Sequence, residues 1–157
     1  MSKITPFLWF DHQAEEAVSL YTSLFKNSKV LEVARYGDAG PGTPGSVMTI
    51  HFVLDGQEFT ALNGGPYFTF TGAISFYVNC ETQEELDFFW EKLSEGGQVQ
   101  QCGWLTDKFG ITWQIVPAIL GKLMSDPNPE KARRVTEAML KMIKLDIAGL
   151  QKAYDGA

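Results

Sequence analysis

The chain has 157 residues, 45% hydrophobic and 20% charged, with a formal net charge of −6. That length suits one domain whose core needs no disulfide or metal staple. The acidic balance, without a basic stripe or a Lys/Arg run, argues against a nucleic-acid partner. No apolar run approaches membrane-spanning length and MSKITPF lacks a hydrophobic signal core, so the expected compartment is the cytoplasm and no membrane partner is expected. Cys80 and Cys102, the only cysteines, belong to no C-x-x-C or Cys/His cluster and read as free thiols in a reducing compartment.

Ile4 to Phe10 is an extended apolar run with Pro6 at an edge position. Asp11 reads as an N-cap for a helix over residues 12–26, with Ala14, Ala17, Val18, Tyr21, Leu24 and Phe25 on one stripe. Val30 to Tyr36 reads as a strand. GDAGPGTPG over 37–45 reads as a loop, either a mobile flap over a pocket or a plain surface loop. It contains a literal G-x-G-x-x-G, but two prolines interrupt it and a strand follows, so a nucleotide-binding role is rejected. Residues 46–54 and 57–63 flank Asp55-Gly56, a two-residue hairpin signal.

Past Gly64-Gly65-Pro66 and the aromatic linker 67–71, Ala73 to Asn79 is another strand. Thr82 and Glu85 form a capping box for a helix with Leu86, Phe89, Trp90 and Leu93 on its face, ending at Gly96-Gly97. GWLTDKFGITWQIVP over 103–117 reads as a hairpin, with Asp107 and Lys108 in a surface turn. In its second strand Ile111, Trp113 and Ile115 share one face, and Thr112, Gln114 and Val116 share the other. Residues 118–124 form a short helix. Asn128-Pro129 then opens a long helix to about Tyr154, its stripe from Ala132 to Leu150 somewhat wide for one face.

The order strand–helix–strand–strand–strand occurs twice. PFLWF at 6–10 aligns with SFYVN at 75–79, an offset of 69, and the hairpins align at an offset of 54. Two small sheets, each with one helix on its outer face, are expected to pair around a concavity, the usual setting for a small ligand. Side chains on its wall would be Gln114, Thr60, Tyr77, His51, Trp104 and Trp9. His51, mid-strand, is either a general base or a partly buried histidine bonded to a neighbour. The aromatic residues are either walls of the concavity or core. His12 reads as exposed. Cys102 has no nearby group in sequence to lower its pKa and reads as inert.

Three stretches, TPFLWFDHQAEEAVSLYTSLF at 5–25, GWLTDKFGITWQIVP at 103–117 and DPNPEKARRVTEAMLKMIKLDIAGLQKAY at 126–154, resemble the PhnB-like branch of the vicinal oxygen chelate superfamily, the glyoxalase, bleomycin-resistance and dioxygenase fold. Members of that branch often carry a label as 3-demethylubiquinone-9 3-methyltransferases. The resemblance implies four metal-ligand slots, filled by His and Glu in the superfamily's enzymes. Here they fall near Ile4 or Pro6, near Ala73 or Ser75, and at Thr60 and Gln114. None offers an imidazole or a carboxylate, so the usual metal site is expected to be absent.

The expectation is therefore an α+β fold of two βαβββ modules, about 1–66 and 72–117, forming one domain over 1–117. A helical extension at 118–157 would pack on that domain or on a partner subunit of a homodimer. The function expected is binding of a small molecule without metal or cofactor. The first alternative is a metal-dependent glyoxalase- or dioxygenase-type enzyme using His51 with a carboxylate from a partner chain. The second, disfavoured, is a methyltransferase, since no strand-to-helix glycine turn is present to hold S-adenosylmethionine.

Overall fold

A computed structural model of the chain describes residues 2–157. The chain divides into two units, one ending at Phe70 and one starting at Thr71. The first contains β1 (Phe7–Phe10), α1 (Ala14–Leu24), β2 (Lys29–Arg35), β3 (Val47–Leu54) and β4 (Gln57–Asn63). The second contains β5 (Ser75–Cys80), α2 (Gln83–Ser94), β6 (Gln98–Val99), β7 (Trp104–Thr106) and β8 (Thr112–Pro117), then α3 (Ile119–Met124), α4 (Pro129–Leu140) and α5 (Ile147–Asp155). The strand orders are β1-β4-β3-β2 and β5-β8-β7-β6, the same topology twice. The protein is thus an α+β fold of two βαβββ modules with a helical C-terminal extension. No helix among the described residues is long and apolar enough to cross a membrane.

In the first unit, period-two alternation sorts the side chains. Leu8, Phe10, Ile50, Phe52, Leu54, Phe59 and Ala61 are buried on the face that α1 covers with Ala14, Ala17, Val18 and Tyr21. Phe52 and Phe59 are register partners whose rings stack 5.4 Å apart. The two-residue turn is built as its sequence implies, with Asp55 at φ 47° and Gly56 at φ 83°.

The start of α1 departs from the sequence expectation. The N-cap position is Gln13, not Asp11, and its side chain caps nothing. The cap comes from across the fold: Asn63 at the end of β4 accepts from the Ala14 N–H at 2.9 Å and donates to Glu15 at 2.7 Å and to the Val47 carbonyl at 3.1 Å. Glu15 in the first turn also suits the helix dipole.

In the second unit α2 follows its sequence signals. Thr82 accepts from the Glu85 N–H, and Leu86, Phe89, Trp90 and Leu93 are buried against the sheet. Asp107 does not lie on the surface. It is 3% exposed, and its carboxylate accepts from the Phe109 and Ile111 N–H groups at 2.9 and 3.0 Å and from the Trp113 indole at 2.9 Å. A two-residue spacing from the strand end puts this acid under the turn, where it satisfies three donors.

The long C-terminal helix is also a correction. It is broken into α4 and α5 by residues 141–146, which explains the over-wide stripe. Asn128 caps α4, Asp146 caps α5, and Arg134 donates to the last carbonyls of α5, at Ala153 and Tyr154. The break itself docks on the second module. The Met142 and Ile143 carbonyls accept from the Cys102 and Gly103 N–H groups, and Gln83 bonds the Leu145 carbonyl and the Ile147 N–H.

Candidate functional site

The uncovered face of the second sheet holds three of the six candidates in one row. Gln114 is the register partner of Tyr77 on β5 and of Trp104 on β7, so the three side chains stand side by side across three strands. Gln114 donates to the Ser75 hydroxyl at 2.9 Å, which fixes the carboxamide and leaves its oxygen as an acceptor. Tyr77 is 53% exposed, and partial burial pushes its phenol above the ordinary tyrosine range. Trp104 follows Gly103, whose φ of 84° suits glycine. A Cβ there would meet the Ile115 carbonyl at 2.9 Å.

The other three candidates share the corresponding face of the first sheet. Thr60 pairs with Phe7 on β1 and with His51 on β3, and Glu32 on β2 completes that row. Trp9 stands one step along, beside Leu62 and Thr49. Its indole donates to the Gly65 carbonyl at 2.8 Å, and its ring meets Phe68 edge-on at 4.9 Å. A Cβ on Gly64 would lie 2.4 Å from that ring, so the glycine is required for the approach. The sequence reading missed Glu58, whose carboxylate lies 3.6 Å from the His51 imidazole. The signal was present: a two-residue turn at Asp55-Gly56 sets residue 51 opposite 60 and places 58 on the same face.

The chelate slots need a one-residue correction on the first strands. Phe7 occupies beside Thr60 the place that Tyr77 occupies beside Gln114, an offset of 70 and not 69. A slip of one residue turns every side chain to the other face, so Pro6 is not the counterpart of Ser75. With the register set, the slot regions offer a threonine, a serine and a carboxamide, with no charge to hold a divalent cation. Among the described residues no group of three or more His, Cys, Asp and Glu could hold a metal ion. The donor chemistry at the slots does not fit the superfamily's metal.

Neither cysteine extends the site. Cys80 is fully buried and its thiol is pushed up to about 12, by burial first and then by Glu85 and Glu81. Cys102 sits half-buried at φ 60° in the bend before β7.

The glycine-rich loop is tied down where the flap reading would leave it free. It wraps the buried Tyr36 ring, and a Cβ on Gly40 or Gly42 would come within 2.7 or 2.4 Å of that ring. The Gly45 N–H donates to the Tyr36 carbonyl and the Tyr36 N–H to the Ser46 carbonyl. The glycines of the apparent nucleotide motif thus serve a tyrosine. Between this loop, the first turn of α1 and the end of β4 lies a cleft of about 290 Å³, lined by Asp11, Glu15, Pro41, Gly42, Asn63 and Gly65 among others.

Comparison with known proteins gives a consistent picture. The model of a family described as 3-demethylubiquinone-9 3-methyltransferase matches residues 2–116. A Bacillus cereus PhnB protein, described by the same methyltransferase name, is 43% identical over 74% of this chain and 100% of its own, with a TM-score of 0.69. A protein from Pseudomonas aeruginosa is 23% identical over 74% of this chain and 98% of its own, with a TM-score of 0.62. A glyoxylase/bleomycin resistance protein/dioxygenase domain from a Frankia species is 19% identical over 72% and 94%, with a TM-score of 0.45. No curated protein sequence matches the chain. The family match ends before α3, so the helical extension lies outside it.

Proposed function

We propose that this chain, which belongs to the PhnB-like family of the vicinal oxygen chelate superfamily, is a small-molecule-binding protein that uses neutral hydrogen-bonding groups where the superfamily's enzymes use metal. The observation that carries this reading is the row Tyr77–Gln114–Trp104: two aromatic rings flanking one fixed carboxamide on the uncovered face of a sheet. Aromatic flanks supply apolar area, and the Gln114 oxygen accepts from a donor on the ligand. A ring or other flat apolar molecule carrying a hydroxyl or amide N–H fits that set.

The test is a panel of such ligands titrated by tryptophan fluorescence. Gln114→Ala is expected to weaken the best ligand about tenfold, the loss of one hydrogen bond of about 1.4 kcal/mol. Equal affinity in the wild type, Gln114→Ala and Tyr77→Ala would overturn the reading. So would a stoichiometric divalent ion in native mass spectrometry.

Methyl transfer, the activity in the family's description, finds little support in this chain. The two sheets are small and four-stranded, without the parallel doubly wound order that binds such cofactors, and the one G-x-G-x-x-G is packed on Tyr36. Micromolar binding of S-adenosylmethionine by calorimetry would restore it.

A further inference from the structure

We propose that His51, backed by Glu58, takes the proton from a weakly acidic hydroxyl on the bound molecule, so that the uncovered face of the first sheet receives a phenol or enol and holds it as its anion. This rests on the binding reading above and adds the chemical class of the ligand. The O–H bond breaks, an N–H bond forms on the imidazole, and the electron pair stays on the ligand oxygen.

Three observations lead there. First, the His51–Glu58 pair has no structural task. The strands it joins, β3 and β4, are already in continuous register from Thr49–Leu62 to Leu54–Gln57. A half-buried charged pair is a poor stabiliser on its own. Second, the surroundings favour an imidazole that has gained a proton. Glu58 lies 3.6 Å away with its side chain 23% exposed, and Glu32 stands directly across from His51 on β2. Lys29, farther along β2, is the cation on that face. Two carboxylates against one ammonium leave room for one positive charge. Third, the face is shaped for such a ligand. The His51 side chain is 29% exposed and so can be reached. The Thr60 hydroxyl beside it is a second donor for an anionic oxygen, and Phe7, Trp9 and Leu62 supply apolar surface next to it.

The probe is 4-nitrophenol, whose phenol and phenolate absorb at different wavelengths. Titrations are run with the whole chain at a pH where free probe is mostly neutral. The wild type is expected to bind it with the phenolate spectrum. His51→Gln should bind it as the neutral phenol and at least tenfold more weakly. Glu58→Gln should show the phenolate only at higher pH. Affinity of the wild type should fall on acidification, as His51 becomes protonated before the ligand arrives, while His51→Gln stays flat. Far-ultraviolet circular dichroism checks that both variants fold.

Binding of the neutral phenol by the wild type, or an unchanged phenolate spectrum in His51→Gln, would overturn the inference and leave the binding reading standing. Failure to bind 4-nitrophenol while the apolar probe 1-anilinonaphthalene-8-sulfonate binds at the same protein would do likewise. If neither probe binds, both readings fall.

Discussion

The two modules share a topology and differ in how they are held and in what their uncovered faces carry. The first borrows: α1 is capped by Asn63 from the far end of its sheet, and its hairpin turns on two exposed residues. The second is self-supporting: α2 is capped by its own Thr82, and its hairpin is tied from beneath by Asp107. The uncovered face of the first sheet holds charge, with Lys29, Glu32, His51 and Glu58, whereas that of the second holds Ser75, Tyr77, Trp104 and Gln114, all neutral at physiological pH. The covered faces are apolar in both. Topology is therefore specified by what α1 and α2 cover, and chemistry by a few positions pointing the other way. One duplicated scaffold can diverge in function without disturbing its core.

The two hairpin turns give the largest expected contrast. Asp107→Ala strips the partner from two backbone donors and an indole N–H in a buried turn, and should cost about 3 kcal/mol or more. Asp55→Ala changes an exposed turn residue at φ 47° and should cost about 1 kcal/mol. Urea unfolding of both variants measures the difference. Equal losses would mean that the second module does not depend on its buried acid.

Which parts of this were readable in advance follows from range. Local signals carried the repeat, the Asp55-Gly56 turn, the Thr82 cap and the buried stripe of α2, because each is decided within a few residues of chain. Period two correctly set Gln114 on the opposite face from Trp113. The row joining Gln114 to Tyr77 and Trp104 was not readable, since strand pairing fixes it and pairing joins residues far apart. The same holds for the cap on α1, where Asp11 had the better local chemistry but Asn63 had the geometry. Asp107 looked like a surface turn because an Asp beside a Lys usually is one; its partners are a turn and a tryptophan that close over it. The break between α4 and α5 did leave a trace, in a stripe too wide for one helix face.

The caps give the next contrast. Thr82→Ala removes one local cap bond and should cost about 1 kcal/mol. Asn63→Ala removes the α1 cap together with bonds to Glu15 and to the Val47 carbonyl, and should cost about 2 kcal/mol. The second loss should also report on the sheet. Hydrogen exchange is expected to accelerate in β3 and β4 as well as in α1 for Asn63→Ala, but only in α2 for Thr82→Ala.

The smallest contrast lies at one pair of equivalent positions, the last residues of the first strands. The first module has Phe10 there, with nothing to titrate; the second has Cys80, whose thiol is raised from 9.0 to about 12. A folded-state pKa above the unfolded one means that the neutral thiol is favoured in the native protein. That contribution is complete below pH 9.0 and is lost as the pH rises toward about 12. The wild type should therefore lose stability over this window, and Cys80→Ala should lose less of it, measured by urea midpoints at successive pH values. Tyr77 and Tyr154 are also raised, Tyr77 by burial and Tyr154 chiefly by its bond to Asp126, and they steepen both curves alike, so the difference between the curves isolates the thiol. A thiol reagent near pH 8 gives an independent reading: Cys102 should react in the native protein and Cys80 only on unfolding. Parallel stability curves for the wild type and Cys80→Ala, with both thiols reacting at once, would show that the second module opens at α2 far more readily than its packing implies.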